Sequence, residues 1–180
     1  GIQQALSTAG VTFDFIGFDA CLMATTETAL TMADFGDYLI ASEESEPGTG
    51  WDYAAIGEFL TRTPSAGGKA VGKIICNSFL ESCKAIRDDD IATMALIDLD
   101  QIDDLLVAFN DFASGMYEAG ADTATLGAMV RGIEQAENFG GNNRTEGYTN
   151  MVDLGGLIRA CSDYVPGAQA ALEALEQAVI

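Results

Sequence analysis

Residues 13–29, FDFIGFDACLMATTETA, pass from a β-branched and aromatic run into Asp-Ala-Cys and then into helix-like spacing without an intervening turn residue. Val, Phe and Ile cluster through residues 11–20 as in a strand covered on both faces, which predicts a strand of a parallel sheet. Leu22, Thr26, Ala29, Leu30 and Ala33 then recur at i, i+3 and i+4, predicting a helix over 22–35. The run DYLIASEE, residues 37–44, reads as a second strand, so the three elements form a βαβ unit with a right-handed crossover. Cys21 would then stand at the carboxyl end of a strand and at the amino end of a helix. That edge is where open α/β sheets build their sites.

The loop SEPGTGW, residues 45–51, follows the second strand. Downstream, WDYAAIGEFLTR predicts a helix stopped near Pro64, and GGKAVGKIICNSFLESCKAIR a longer one. A third strand is expected over 91–97 and a helix over 100–118. The segments TATLGAMVRGIEQAENF, NMVDLGGLIRACSDYV and GAQAALEALEQAVI read as helical, the first two separated by the loop GGNNRTEGY. Strands interleaved with helices imply an α/β fold whose later part is mostly helical. Three strands make a thin sheet, and further strands are expected upstream. The start GIQQALSTAG carries no basic region or Met, so a targeting signal would lie outside this sequence.

The 180 residues carry 28 acidic against 8 basic side chains, a formal charge of −20. Nucleic acid and anionic membrane faces need Lys and Arg, so cationic partners suit this chain better. No apolar run approaches the roughly 18–20 residues that span a bilayer. The cysteines at 21, 76, 83 and 161 are too scattered for a disulfide scaffold. On one helix, Cys76 and Cys83 stand about 10 Å apart at 1.5 Å per residue, beyond the roughly 7 Å that a disulfide bridges. No Cys spacing suggests zinc. The chain has no histidine, so thiol chemistry needing an imidazole must borrow one.

Cys21 has two readings: a small buried residue, or a thiolate stabilised by the free amides and macrodipole of the following helix. Asp19 lies two residues earlier, on the same side if the extended geometry persists. Either it caps the helix or it holds a cationic substrate side chain, since a bare carboxylate beside a thiol only hinders its ionisation. Glu46 is a solvated loop carboxylate or part of the wall of a basic-residue pocket. Trp51 packs under the loop or floors that pocket, and Ser42 is weighed as a further substrate-binding residue.

FDFIGFDACLM together with YLIASEESEPGTGWDY resembles the clostripain family of cysteine peptidases, relatives of caspases, legumain and gingipains. The resemblance is carried by about 45 residues, the element order to residue 118 agrees, and the tail adds little. It implies a caspase-like α/β/α sandwich with a mostly parallel sheet, present here in part: residues 1–118 from the peptidase domain, and 119–180 a helical region packed on it. It implies Cys21 as the nucleophile and Asp19 as the residue selecting Arg or Lys before the scissile bond. The family's base is a His-Gly pair earlier in the chain, which this sequence lacks. A heavy chain is therefore expected, partnered by a light chain from the same precursor that carries the His after autoprocessing of a bacterial, secreted or exported zymogen. Some relatives need calcium, and DDDIATMALIDLDQIDD is rich in carboxylates, but it lacks the ligand order of an EF-hand.

Two other classes remain. A caspase-like module that binds without turnover would account for the missing His. A nucleotide-binding domain would need a Gly-rich phosphate loop, and GFDACLM has none.

Overall fold

A computed structural model of the chain describes residues 1–87, 92–145 and 147–180. It contains two compact units, residues 1–100 with 179–180, and residues 101–178.

The first unit opens with helix α1 (Ile2–Ala9), which buries none of its side chains and ends on the left-handed Gly10. Strand β1 is only Ile16–Gly17. It pairs in parallel with β2 (Tyr38–Ala41), Ile16 opposite Leu39 and Gly17 opposite Ile40. A separate parallel bridge joins Phe13 to Gly36, and the Phe18 amide donates to the Ile40 carbonyl, so the pairing is intermittent over the predicted strand. Val11 and Phe13 are exposed, against the expectation of a strand covered on both faces. Among the described residues nothing pairs with the outer side of β1.

Helix α2 is Thr26–Met32, four residues later in its start than the spacing predicts. Thr25 is extended and its hydroxyl accepts from the Thr28 amide, so this cap sets the boundary. Cys21 and Leu22 form a turn instead, and residues 23–25 are irregular. The helix turns Ala29 and Met32 inward, and β2 is wholly interior at Leu39, Ile40 and Ala41. Each large apolar side chain sealed there contributes about 1.5–3 kcal/mol.

Helices α3 (Tyr53–Arg62) and α4 (Gly68–Ile86) connect β2 to β3 (Ala95–Asp98). The two-helix excursion returns the chain to the end where β2 finished, Ala95 opposite Ala41, so β3 runs antiparallel. The three-stranded sheet, ordered β1-β2-β3, is thus mixed rather than mostly parallel. Val71, Ile75, Phe79 and Cys83 of α4 pack with Ile40, Leu96 and Trp51. The outer side of β3 is met by Val179, bridged to Ile97, and the Ile180 amide donates to the Leu96 carbonyl.

The second unit holds α5 (Ile102–Ala119), α6 (Thr123–Ile133), α7 (Leu154–Cys161) and α8 (Ala168–Ala178). Phe112, Met129, Ile158, Cys161, Val165, Ala168 and Ala171 form its core. Between α6 and α7 the expected helix end and loop contain two short antiparallel ladders. Strand β4 (Asn138–Phe139) pairs with β7 (Met151–Val152), and β5 (Asn142–Asn143) pairs with β6 (Gly147–Tyr148).

Candidate active site

The segment after β1 and the segment after β2 are laced together at the sheet's end. The Leu22 amide donates to the Glu44 carbonyl at 3.2 Å and the Ala24 amide to the Ser42 carbonyl at 2.9 Å. Leu22 sits in the left-handed region at φ 62°, a conformation that costs a non-glycine residue about 1–2 kcal/mol. The kink leaves Cys21 exposed, the one such cysteine among four free thiols; Cys83 and Cys161 are buried and Cys76 is partly so. Burial pushes the Cys76 thiol up to about 11. Because α2 begins at Thr26, its dipole is not at Cys21 as the sequence suggests. The polar neighbour of the sulfur is instead the Glu46 backbone amide, which donates to Cys21 Sγ at 3.2 Å.

Asp19 does not cap α2, Thr25 having that role. Its carboxylate reaches across to the next loop: Oδ1 accepts from the Trp51 amide at 3.2 Å and Oδ2 from the Tyr53 hydroxyl at 2.9 Å. Asp19 in turn pushes the Tyr53 hydroxyl's pKa upward, through that hydrogen bond first. The turn can come this close because residue 50 is glycine. It lies at φ 62°, and a Cβ there would stand 2.9 Å from Asp19 Oδ2.

Glu46 shares this corner. Both its carboxyl oxygens are sealed from water without completing a hydrogen bond, although the side chain lies shallowly. Asp19, the Ala20 amide and the Trp51 indole act on it as electrostatic neighbours. Burial first, then the proximity of Asp19, pushes the Glu46 carboxyl up to about 7, while the amide and the indole oppose the shift. Two carboxyl groups this close cannot both ionise freely without a cation.

Trp51 is 8% exposed and belongs to the core of the first unit. Its ring lies on β1 where Gly17 leaves room, a Cβ there falling 2.6 Å from Cη2. Its Nε1 is buried beside Glu46 without a well-formed hydrogen bond. Ser42 is fully buried, its hydroxyl donating to the Glu44 carbonyl and sharing a 2.9 Å hydrogen bond with Thr93. Thr93 Oγ1 also accepts from the Glu43 and Glu44 amides, so Ser42 and Thr93 fix the start of the loop that carries Glu46.

Cys21, Asp19, Glu46 and Trp51 therefore converge, while Ser42 stands beneath them. Sequence reading missed Gly50, Tyr53 and Thr93. The first two lie in the quoted GTGWDY, where a glycine before an aromatic pair marks a tight turn; Thr93 carries no local signal.

Asp88, Asp89 and Asp90 of the carboxylate-rich stretch lie outside the described residues. Asp98 accepts from the Asp100 amide, capping the single 3-10 turn Leu99–Gln101. Among the described residues no group of three or more Cys, Asp or Glu side chains is arranged to hold a metal. Nor is any helix of theirs long and apolar enough to cross a membrane.

A comparison with curated protein sequences finds no match. Among solved structures, a B. fragilis cysteine protease superposes with a TM-score of 0.69 at 21% identity, covering 99% of this chain and 70% of that one. A clostripain from Bacteroides thetaiotaomicron in complex with the peptide inhibitor BTN-VLTK-AOMK gives 0.67 at 24%, with 99% and 70% covered. An inactive zymogen C11 protease from Parabacteroides distasonis gives 0.67 at 20%, covering 98% of this chain and 45% of that one. The profile of the clostripain family, peptidase C11, matches residues 1–179, and the chain belongs to that family of cysteine proteases.

Proposed function

We propose that this chain supplies the nucleophile and the specificity pocket of an endopeptidase that cuts after Arg or Lys. The observation that supports it most is an exposed Cys21 whose sulfur receives the Glu46 amide, while the Glu46 and Asp19 carboxyl groups lie together and no cation pairs with either among the described residues. The Cys21 sulfur attacks the scissile carbonyl, and its backbone amide shares in holding the oxyanion. Asp19 binds the basic side chain of the residue before the cut, bidentate when it is Arg. Trp51 packs below, and Ser42 holds the loop. The Lys-ended inhibitor on the B. thetaiotaomicron clostripain is consistent with such a pocket.

The imidazole that protonates the leaving amine comes from a light chain of the same precursor, in a caspase-like sandwich whose further strands add to the open side of β1. Cleavage of the zymogen brings activation, and export from a bacterial cell fits the secreted relatives. The absence of His from these 180 residues favours one rival, a module that binds without turnover.

Fluorogenic peptides ending in Arg, Lys or Asp, offered to the full precursor after processing, separate these readings. Turnover of the Arg and Lys peptides is expected, falling at least about 1,000-fold in Cys21→Ala. Preference for Asp would overturn the role of Asp19. An Arg-directed covalent probe that leaves Cys21 unmodified would favour the binding module.

A further inference from the structure

The two acids of the pocket are differently furnished. Asp19 commits both oxygens to donors on the Trp51 amide and the Tyr53 hydroxyl. Neither Glu46 oxygen makes a well-formed hydrogen bond, nor does the buried Trp51 Nε1 beside them, although Asp19, the Ala20 amide and the indole all act on the carboxyl. Polar atoms sealed in a corner lined by a core tryptophan with poorly formed hydrogen bonds are costly to keep as they are. An entering cation satisfies the Glu46 oxygens, and the indole N–H supports the ionised carboxylate more than the neutral acid. The groups facing Glu46 are Asp19 from the β1–α2 connection, Cys21, whose sulfur receives the Glu46 amide, and Tyr53 from the first turn of α3. Asp19 is the carboxylate among them, and its oxygens already accept from the Trp51 amide and the Tyr53 hydroxyl, so a proton displaced from Glu46 leaves to solvent.

Resting on the Arg/Lys reading above, we propose that a guanidinium or ammonium group enters this pocket in exchange for one proton, lost from Glu46 to solvent. Substrate capture is thereby proton-coupled. The O–H of Glu46 breaks heterolytically, its electron pair stays on the carboxylate, and the cation replaces the proton, so the charge of the pocket is the same empty and filled. The high pKa of the empty-site carboxyl agrees with this exchange. A neutral side chain brings no compensating charge and is refused on those grounds alone.

The test uses the complete processed protein and benzamidine, a rigid amidinium that keeps its charge through the whole range. Calorimetry in two buffers of different ionisation enthalpy counts the protons released per molecule bound. Close to one proton is expected at about pH 6 and almost none at about pH 8.5, with binding about tenfold weaker at pH 6 than at pH 8. Glu46→Gln should release none and bind benzamidine equally at both pH values. Benzamidine binding without proton release at either pH overturns the exchange while leaving the basic-residue pocket standing. Release that persists in Glu46→Gln overturns it too, by assigning the proton elsewhere. Failure of benzamidine to bind at any pH overturns both. If Glu46→Gln does not fold, the proton count and pH dependence of the wild-type protein decide.

Discussion

The corner around Cys21 and the helical unit of residues 101–178 are built by opposite rules. In the helical unit polar groups are spent on ends: Asp122 caps α6 by accepting from the Thr125 amide at 2.8 Å, and Asp153 caps α7 through the Gly156 amide. Its interior is apolar and closed around Phe112. In the corner a non-glycine residue is held left-handed, two acids lie together, and three buried polar atoms lack well-formed hydrogen bonds. A chain tolerates such local costs where another molecule is meant to settle them. The contrast separates what keeps this protein folded from what lets it act.

That separation can be attacked from both sides. The largest effect expected is from Phe112→Ala, which should destabilise the protein by about 3–5 kcal/mol through cavity formation. The KM of the molecules that remain folded should not move; a changed KM for an Arg peptide would show that the helical unit shapes the pocket. Gly50→Ala should be milder in stability, about 1–2 kcal/mol for the left-handed backbone, yet felt in recognition because the new Cβ pushes on Asp19. A fall of about tenfold in kcat/KM for Arg peptides is expected, from displacement of a positioning group. Unchanged kcat/KM would remove Asp19 from the pocket.

The smallest effect sharpens the comparison. Folded Glu46 keeps its proton to about pH 7, whereas the unfolded chain releases it near its ordinary 4.5. The unfolded state therefore binds fewer protons between those values, and stability falls as pH rises through that window. Glu46→Gln lacks this loss. Its melting temperature should match the wild type near pH 4 and exceed it at pH 8, by an amount equivalent to about 1 kcal/mol once solvent screening of so shallow a site is allowed for. Parallel melting curves across that range would deny the raised pKa of Glu46.

Much of this division was readable from residue order. The βαβ start, the long α4 and the loop after β2 follow from periodicity and from Pro and Gly, and the family resemblance drew attention to Cys21 and Asp19. The start of α2 was misread because Leu22 continues the apolar spacing backwards, although Thr25 three residues before Thr28 is the better boundary signal. The ladders of residues 138–152 are two residues per strand, too short to show alternation. Partners such as Thr93, about 50 residues from the amides it accepts from, come together only through tertiary structure. The antiparallel course of β3 likewise depends on how α3 and α4 return, which no single segment declares.

The bridge from Val179 to Ile97 has a consequence for biosynthesis. A ribosome delivers β1, β2 and β3 early, but the residues that finish the edge of β3 emerge only after the intervening helical unit has been made. Closing that edge is a long-range step, slow by the loop it must wait for. The β3 edge of the nascent sheet therefore stays bare while residues 101–178 are made, which is when it is most open to pairing with another chain.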